Sequence, residues 1–268
     1  MADFLLANEG SIRLSIFVGV LALLAILEVL LPRRRREIPR LFRWSNNLAL
    51  VFIDSLVINL CFPLLAVAFA ALMAEQGWGL FNLIELPTWL SFILAIVLLD
   101  LAIYGQHVIF HRIPILWRLH RVHHTDLECD VTTAVRFHPI EILLSMLIKL
   151  LLVFLLGPAA VAVLVFEIIL NGSAMFNHSN LSLPLALDKK LRLFLVTPDM
   201  HRVHHSVYVG ETNSNYGFFI PWWDRLFGTY CEAPRDGHET MRIGINEFRD
   251  VRQTQLHRLL LQPLKSGD

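Results

Sequence analysis

The sequence predicts an all-α, polytopic membrane protein with about three spanning helices, a helical hairpin and a cytoplasmic histidine-rich cap. Three observations predict it. Of 268 residues, 55% are hydrophobic and 17% charged, with a mean hydropathy of +0.56, which is too apolar for an ordinary soluble domain. The apolar residues are gathered into runs long enough to cross about 30 Å of hydrocarbon. Twelve histidines fall mostly in clusters just beyond those runs. The same composition excludes other classes. The 23 basic and 23 acidic residues cancel, leaving no global field for nucleic acid, and the apolar content excludes a disordered chain. Cys61, Cys129 and Cys231 are too few and too far apart for a disulfide framework or a cysteine-rich zinc site.

Residues 15–31 are apolar except for Ser15 and Glu28 and are followed at once by Arg33, Arg34, Arg35 and Arg36. This pattern reads as a spanning helix. A cleaved secretory signal is the competing reading, but residues 1–11 lack a basic n-region and no small-residue cleavage site precedes the arginines. A second run, 48–73, is interrupted by Asp54, Asn59 and Pro63, and a third, 89–105, by Asp100. Asp54 and Asn59 are assigned to helix packing. Arg33–Arg36, Arg40 and Arg43 lie between the first two runs, whereas 74–88 holds Glu75 and Glu85 and no Lys or Arg, so the first loop is placed in the cytoplasm. The third run then delivers the residues up to His138 to that side.

Residues 140–156 and 159–176 flank Gly157-Pro158 and read as a helical hairpin that returns to the face it left, with the first arm short for a full crossing. Beyond Leu181 the chain turns mixed and polar, punctuated by Pro184, Pro198, Pro221 and Pro234, as expected of a cap rather than a second domain. The division is 1–98 for amino-terminal membrane helices, 99–230 for the core and 231–268 for a cytoplasmic tail. No repeat and no low-complexity linker is present. Residues 251–265, leucine-rich among basic residues, suit a helix on the membrane surface or one packed on the cap.

The histidines carry the chemistry. His107-x3-His111 ends the third run, His120-x2-His123-His124 follows it, and His201-x2-His204-His205 lies in the cap. On a helix, positions i, i+3 and i+4 project from one face, about 5–6 Å apart at Cβ, so each cluster offers its imidazoles to a common point. At this histidine content a five-residue window matches His-x2-His-His with a probability of about 10⁻⁴, and the chain holds two matches. Eight imidazoles exceed the needs of one four-coordinate ion about twofold, so two metal ions are implied. Nitrogen ligands suit zinc, copper, iron or nickel alike. His178, where the hairpin returns, joins the ligand set. His138 is either a ligand or a hydrogen-bond partner of one, and His238 and His257 read as surface histidines. Ligating histidines usually give their other ring N–H to a carboxylate or carbonyl. Asp100, two turns before His107, is the first candidate for that role, through Tyr104 or water, with Asp199, Asp224 and Glu141 behind it. Trp117, Phe137, Phe218, Phe219, Trp222 and Trp223 either line an approach to the metals or form an interfacial belt. Arg202 either binds an anionic headgroup or faces water.

At these clusters the sequence resembles the fatty acid hydroxylase superfamily, integral-membrane proteins that include sterol desaturases, sterol methyl oxidases, fatty acid 2-hydroxylases and alkylglycerol monooxygenase. The resemblance runs from about Leu99 to Tyr230. Beside the histidine boxes it rests on Leu116-Trp117, Thr132-Thr133-Ala134-Val135-Arg136 and the third box within Thr197-Pro198-Asp199-Met200-His201-Arg202-Val203-His204-His205-Ser206. Asn215-Tyr216-Gly217 and Trp223-Asp224-Arg225-Leu226-Phe227-Gly228-Thr229-Tyr230 complete it. It implies a di-iron oxygenase with ligands His107, His111, His120, His123, His124, His201, His204 and His205, and His178 in the place of an additional upstream histidine. It also implies a lipid substrate hydroxylated or desaturated with dioxygen and two electrons, delivered by a separate electron-transfer protein. Two rival readings remain at the level of sequence. A metal-dependent lipid hydrolase needs no electron donor and works without air. In a non-catalytic lipid- or metal-binding membrane protein, His123→Ala weakens folding without removing any turnover.

Overall fold

A computed structural model describes residues 2–266. Among the described residues there is no strand, only isolated bridges between Pro32 and Leu181 and between Ser206 and Ile243. The long helices are α1 (Glu9–Leu30), α2 (Arg40–Cys61), α3 (Ala66–Gln76), α4 (Thr88–Arg112), α5 (Pro114–His124), α6 (Pro139–Leu156) and α7 (Ala160–His178). Two short helices, α8 (Pro198–His204) and α9 (Leu256–Leu261), matter to the site and to the tail. Among the described residues, five helical segments are long and apolar enough to cross a membrane: α1, Arg40–Leu83, α4, α6 and α7. Their outer faces leave Leu23, Phe52, Leu60, Ile93 and Leu151 exposed, as a lipid-facing surface requires. The protein is an integral membrane protein.

Local chemistry sets the ends of these helices. Proline occupies the first turn of α5, α6 and α8, where its missing N–H has no helical partner to lose. The Gly-Pro hairpin lies where the sequence places it. Gly157 closes α6 in the left-handed region at φ +60°, and α7 starts three residues later. Gly157 also touches Gly79, and a Cβ on Gly157 would lie 2.5 Å from the Trp78 carbonyl oxygen. Pairing of α6 with α7 therefore depends on glycine at this turn. The first arm, eighteen residues, is about 27 Å long, close to a full hydrocarbon thickness. α3 packs beside this end of the hairpin, burying Ala66, Val67, Ala70 and Met73 against Val153, Ala160, Val163 and Leu164. α7 is the central helix, in contact with α1, α3, α4 and α8.

The arginines after α1 pin the cap to the helices. Arg33 pairs with Asp199 at 2.8 Å; Arg34 donates to the carbonyls of His238 and Met241, each at 2.7 Å. Arg36 and Arg40 bind Glu28, whose other oxygen accepts from the backbone N–H of Val131 and Asn180, both at 2.8 Å. The acid that interrupts the first apolar run thus ties the end of α1 to two cap loops. Arg43, fully buried, binds Asp126 with two N–H groups at 2.7 and 3.1 Å and pairs with Asp130. A buried cation of this kind is stable only with such partners.

The tail, expected over 231–268, is described as far as residue 266. It packs on the protein: Leu259 is buried with Leu50 and Val122, and Arg121 and Thr125 bond to Gln262. Of the two placements open at the level of sequence, the packed one is observed.

Candidate metal centre

Nine histidines from four stretches of chain converge at one end of the bundle. The last turns of α4 supply His107 and His111, α5 supplies His120, His123 and His124, and the end of α7 supplies His178. α8 and the residue after it supply His201, His204 and His205. They sort into two groups. In His107, His111, His120, His124 and His204, and in His123, His178, His201 and His205, one ring nitrogen from each residue lies within 4.8 Å of the others in its group. The groups abut, with the His124 ring of the first 4.7 Å from the His205 ring of the second. All but His111 are buried.

In the first group the outward-facing nitrogen of four rings is fixed. The Nδ1–H of His107 donates to the Tyr216 carbonyl at 2.8 Å, that of His204 to the Ser214 carbonyl at 2.7 Å, that of His111 to Asn213 Oδ1 at 3.2 Å and that of His120 to Glu141 Oε1 at 2.6 Å. Each bond sets the tautomer and leaves the Nε2 lone pair facing inward. Those four Nε2 atoms are buried and have no hydrogen-bond partner, and neither nitrogen of His124 has one. In the second group His178 donates through Nδ1 to the Ala174 carbonyl at 2.7 Å. Its Nε2 lies 3.0 Å from His123 Nε2 and 3.1 Å from His201 Nε2. Neighbouring ligands of one ion, each bonded at about 2.1 Å, have about this separation. Buried nitrogens with no partner are costly, and two metal ions fit both groups.

The segment 213–217 that anchors His107, His111 and His204 is itself held. Asn215 adopts a left-handed φ of +48°, and its side-chain amide donates to the carbonyls of Met200 and Cys231, each at 2.8 Å. Asp224 accepts from the backbone N–H of Tyr216 at 2.8 Å and of Gly217 at 2.9 Å. A Cβ on Gly217 would lie 2.9 Å from that carboxylate, so a larger residue there would displace the group that holds the turn. Aromatic faces close the cluster: Phe137 stacks on His123 at 4.7 Å, and Trp117 covers His111 and His124.

Burial keeps the cap imidazoles neutral. It pushes His120 down to about 3. Burial and the neighbouring rings hold His123, His124, His201, His204 and His205 well below the usual imidazole range. Neutral imidazole is the form that ligates metal. Burial disfavours the Asp126 carboxylate, but Arg43 and Arg136 outweigh it and hold that group below its ordinary value.

A cavity of about 540 Å³ reaches the cluster at His107 and His120 from between α1, α2, α4, α6 and α7, walled largely by apolar side chains such as Phe17, Val51, Phe110 and Phe137. Its volume lies within the range of small-molecule binding sites.

Other sequence candidates fall elsewhere. His138 caps α6, accepting from the Ile140 N–H and bonding the Leu260 carbonyl, and stands outside both groups. His257 is exposed. His238 is half-buried, its Nδ1 4.0 Å from Asp199. Asp100 does not orient His107: its carboxylate accepts from Trp223 Nε1 at 2.8 Å and the Ile220 N–H at 3.2 Å, and fixes the loop that carries Tyr216. Glu141 is the carboxylate that reaches a ring. Asp199 serves Arg33 and Arg202, so Arg202 is buried in an ion pair and does not face water. Phe137 and Phe218 line the cavity, and Trp222 lies exposed. Asp54 lines the cavity too. The carbonyls of Ser214 and Tyr216 are anchors that residue-type reasoning cannot see, because they are backbone groups.

The fatty acid hydroxylase family model matches residues 92–229. The ornithine lipid hydroxylase OlsE of Rhizobium tropici is 27% identical over 226 residues, which cover 82% of this chain and 67% of that protein. Alkylglycerol monooxygenase of Xenopus tropicalis is 31% identical over 69% of this chain and 40% of its own length. Cholesterol 25-hydroxylase of Rattus norvegicus is 28% identical over 56% and 50%. The chain spans about two thirds of the first of these and half or less of the others. No solved structure matches it. By sequence, by its five membrane-length helices and by its paired histidine groups, the chain belongs to the fatty acid hydroxylase family.

Proposed function

We propose that the protein is a membrane-bound di-iron oxygenase that hydroxylates or desaturates a C–H bond of a lipid, using dioxygen and two electrons from a separate electron-transfer protein. The observation that carries this reading is the pair of buried histidine groups, with inward lone pairs, at the end of a largely apolar cavity inside a membrane bundle. His107, His111, His120, His124 and His204 would hold one iron, and His123, His178, His201 and His205 the other. A reduced iron pair supplies the dioxygen activation that an unactivated C–H bond demands. Family membership and relatives named as hydroxylase and monooxygenase support the same chemistry.

The protein's own share is placement and exclusion. Glu141, Asn213 and the carbonyls of Ser214 and Tyr216 fix ring tautomers before any ion binds, so little reorganisation accompanies loading. Phe137 and Trp117 shield the cluster from water, which protects a strong oxidant from side reactions. Phe17, Val51 and Phe110 let the apolar body of the lipid remain among the helices while its reacting carbon approaches His107 and His120. The arginine-rich loop supports a cytoplasmic placement of the histidine groups and the carboxyl terminus, and a reporter fused after Asp268 should read cytoplasmic.

The test is incubation of purified, iron-loaded protein with a membrane lipid extract, a chemical reductant and ¹⁸O-labelled dioxygen. A lipid product that gains one labelled oxygen or loses two hydrogens, only in the presence of dioxygen, is expected. Product formation that proceeds equally without dioxygen would point to the hydrolase instead.

A further inference from the structure

Asp54 lies in the middle of α2, eleven residues beyond the cap-bound Arg43, hence about 16 Å along the helix. It is 7% exposed and lines the cavity that ends at His107 and His120. Its Oδ1 is enclosed and has no hydrogen-bond partner. The other buried acids on that wall are engaged. Glu141 holds His120 at 2.6 Å, and Glu167 holds Lys149 at 2.5 Å and Arg13 at 3.1 Å. Both cations of the cavity are therefore committed to Glu167, and Asp54 is the acid left over. Gln106 adds a second acceptor: its Nε2 donates to Ser145 at 2.7 Å, while its enclosed Oε1 has no donor.

An ionised acid at this depth in a membrane bundle is expensive unless a partner supplies both donor and charge. A hydroxyl or amide N–H supplies only the donor. A primary ammonium supplies three donors and the compensating charge. We propose that Asp54 is the specificity residue for a lipid substrate bearing a cationic amine, which it binds inside the cavity while the reacting carbon lies toward His107 and His120. This assignment rests on the oxygenase reading of the cavity and narrows its substrate to amine-bearing lipids. It also supplies a partner for a buried acid of the cavity wall that has none in the protein.

The test is a binding measurement and needs no turnover. Calorimetric titration of the purified protein in detergent with dodecylamine, dodecanol and N-dodecylacetamide compares one chain length with and without the charge. Wild-type protein should bind the amine at least about tenfold more tightly than either neutral compound. Asp54→Asn, which keeps the shape and a hydrogen-bonding group, should lose that preference while its metal content stays at the wild-type level. Equal binding of all three compounds by wild-type protein overturns the proposal without recourse to any variant, and so does an Asn variant that keeps the preference. Failure of the oxygenase reading looks different: no dioxygen-dependent product forms, yet the Asp54-dependent amine preference persists and the binding assignment stands.

Discussion

Glu141 is the carboxylate on which one metal group most depends. Its Oε1 accepts from His120 Nδ1 at 2.6 Å, both side chains are buried, and His120 Nε2 is left facing its group without a partner. Replacing Glu141 with Ala removes the acceptor, frees the ring to rotate or to adopt the other tautomer, and strands a buried N–H. Loss of such a support typically weakens a metal site about 10–100-fold, or roughly 1.4–2.7 kcal/mol. The loss should fall on the group of His107, His111, His120, His124 and His204, because no member of the other group bonds to Glu141. Glu141→Gln keeps an acceptor oxygen and should recover most of the affinity. Chelator titration followed by metal analysis reads this directly. The Ala variant should release one of its two ions at a chelator concentration about 10–100-fold below that needed for wild type, and hold the second normally. Wild-type retention of both ions in the Ala variant would refute the orienting role.

Three further outcomes follow from the packing. Arg43→Met removes the fully buried cation between Asp126 and Asp130 and leaves both acids without their ion-pair partner, at a cost of about 3–5 kcal/mol; a much lowered thermal midpoint in detergent, or loss of folded yield, is expected. Gly157→Ala forces a Cβ into a left-handed turn 2.5 Å from the Trp78 carbonyl oxygen, and should destabilise the hairpin by about 1–3 kcal/mol in the same assay. His238 titrates near 4 in the fold because burial and the Arg202, Arg33 and Arg192 charges lower it against the pull of Asp199. Unfolded, it titrates near 6.5, so the unfolded state binds more protons between those values. Stability is therefore lost as pH falls from about 6.5 toward 4, by up to roughly 3 kcal/mol from this residue. His238→Gln should lose less thermal stability than wild type between pH 7 and pH 5, and an identical loss would remove His238 as a cause.

Features that depend on local pattern were readable before the fold. Gly157-Pro158 marks a turn because glycine supplies the left-handed residue and proline cannot continue the helix, and the hairpin sits there. The three histidine boxes meet with His178 among them, but each His-x2-His-His box divides between the two groups instead of serving one point, because its i+3 and i+4 rings diverge. Features that depend on which loop returns to which helix were not readable. Asp100 lies two turns from His107 along α4, yet helix spacing says nothing about the Trp223 indole and Ile220 N–H that claim it. Glu141, twenty-one residues from the His120 it holds, looked no better than Asp199 or Asp224 until α6 folded beside α5. Arg202 carries no mark of burial in sequence, because its partner Asp199 and the Ser179 carbonyl reach it only in the folded cap. The sequence assigns Asp54 to helix packing, and only the fold shows that it faces the cavity that reaches His107 and His120.

The most direct measurement is the metal content of protein purified without oxygen in the presence of iron, for wild type and for His123→Ala and His204→Ala. Two irons per chain are expected for wild type, with a loss at one or both sites in each variant, since the two residues belong to different groups. A wild-type content near zero, or variants that retain two ions, would contradict the assignment of these imidazoles as metal ligands.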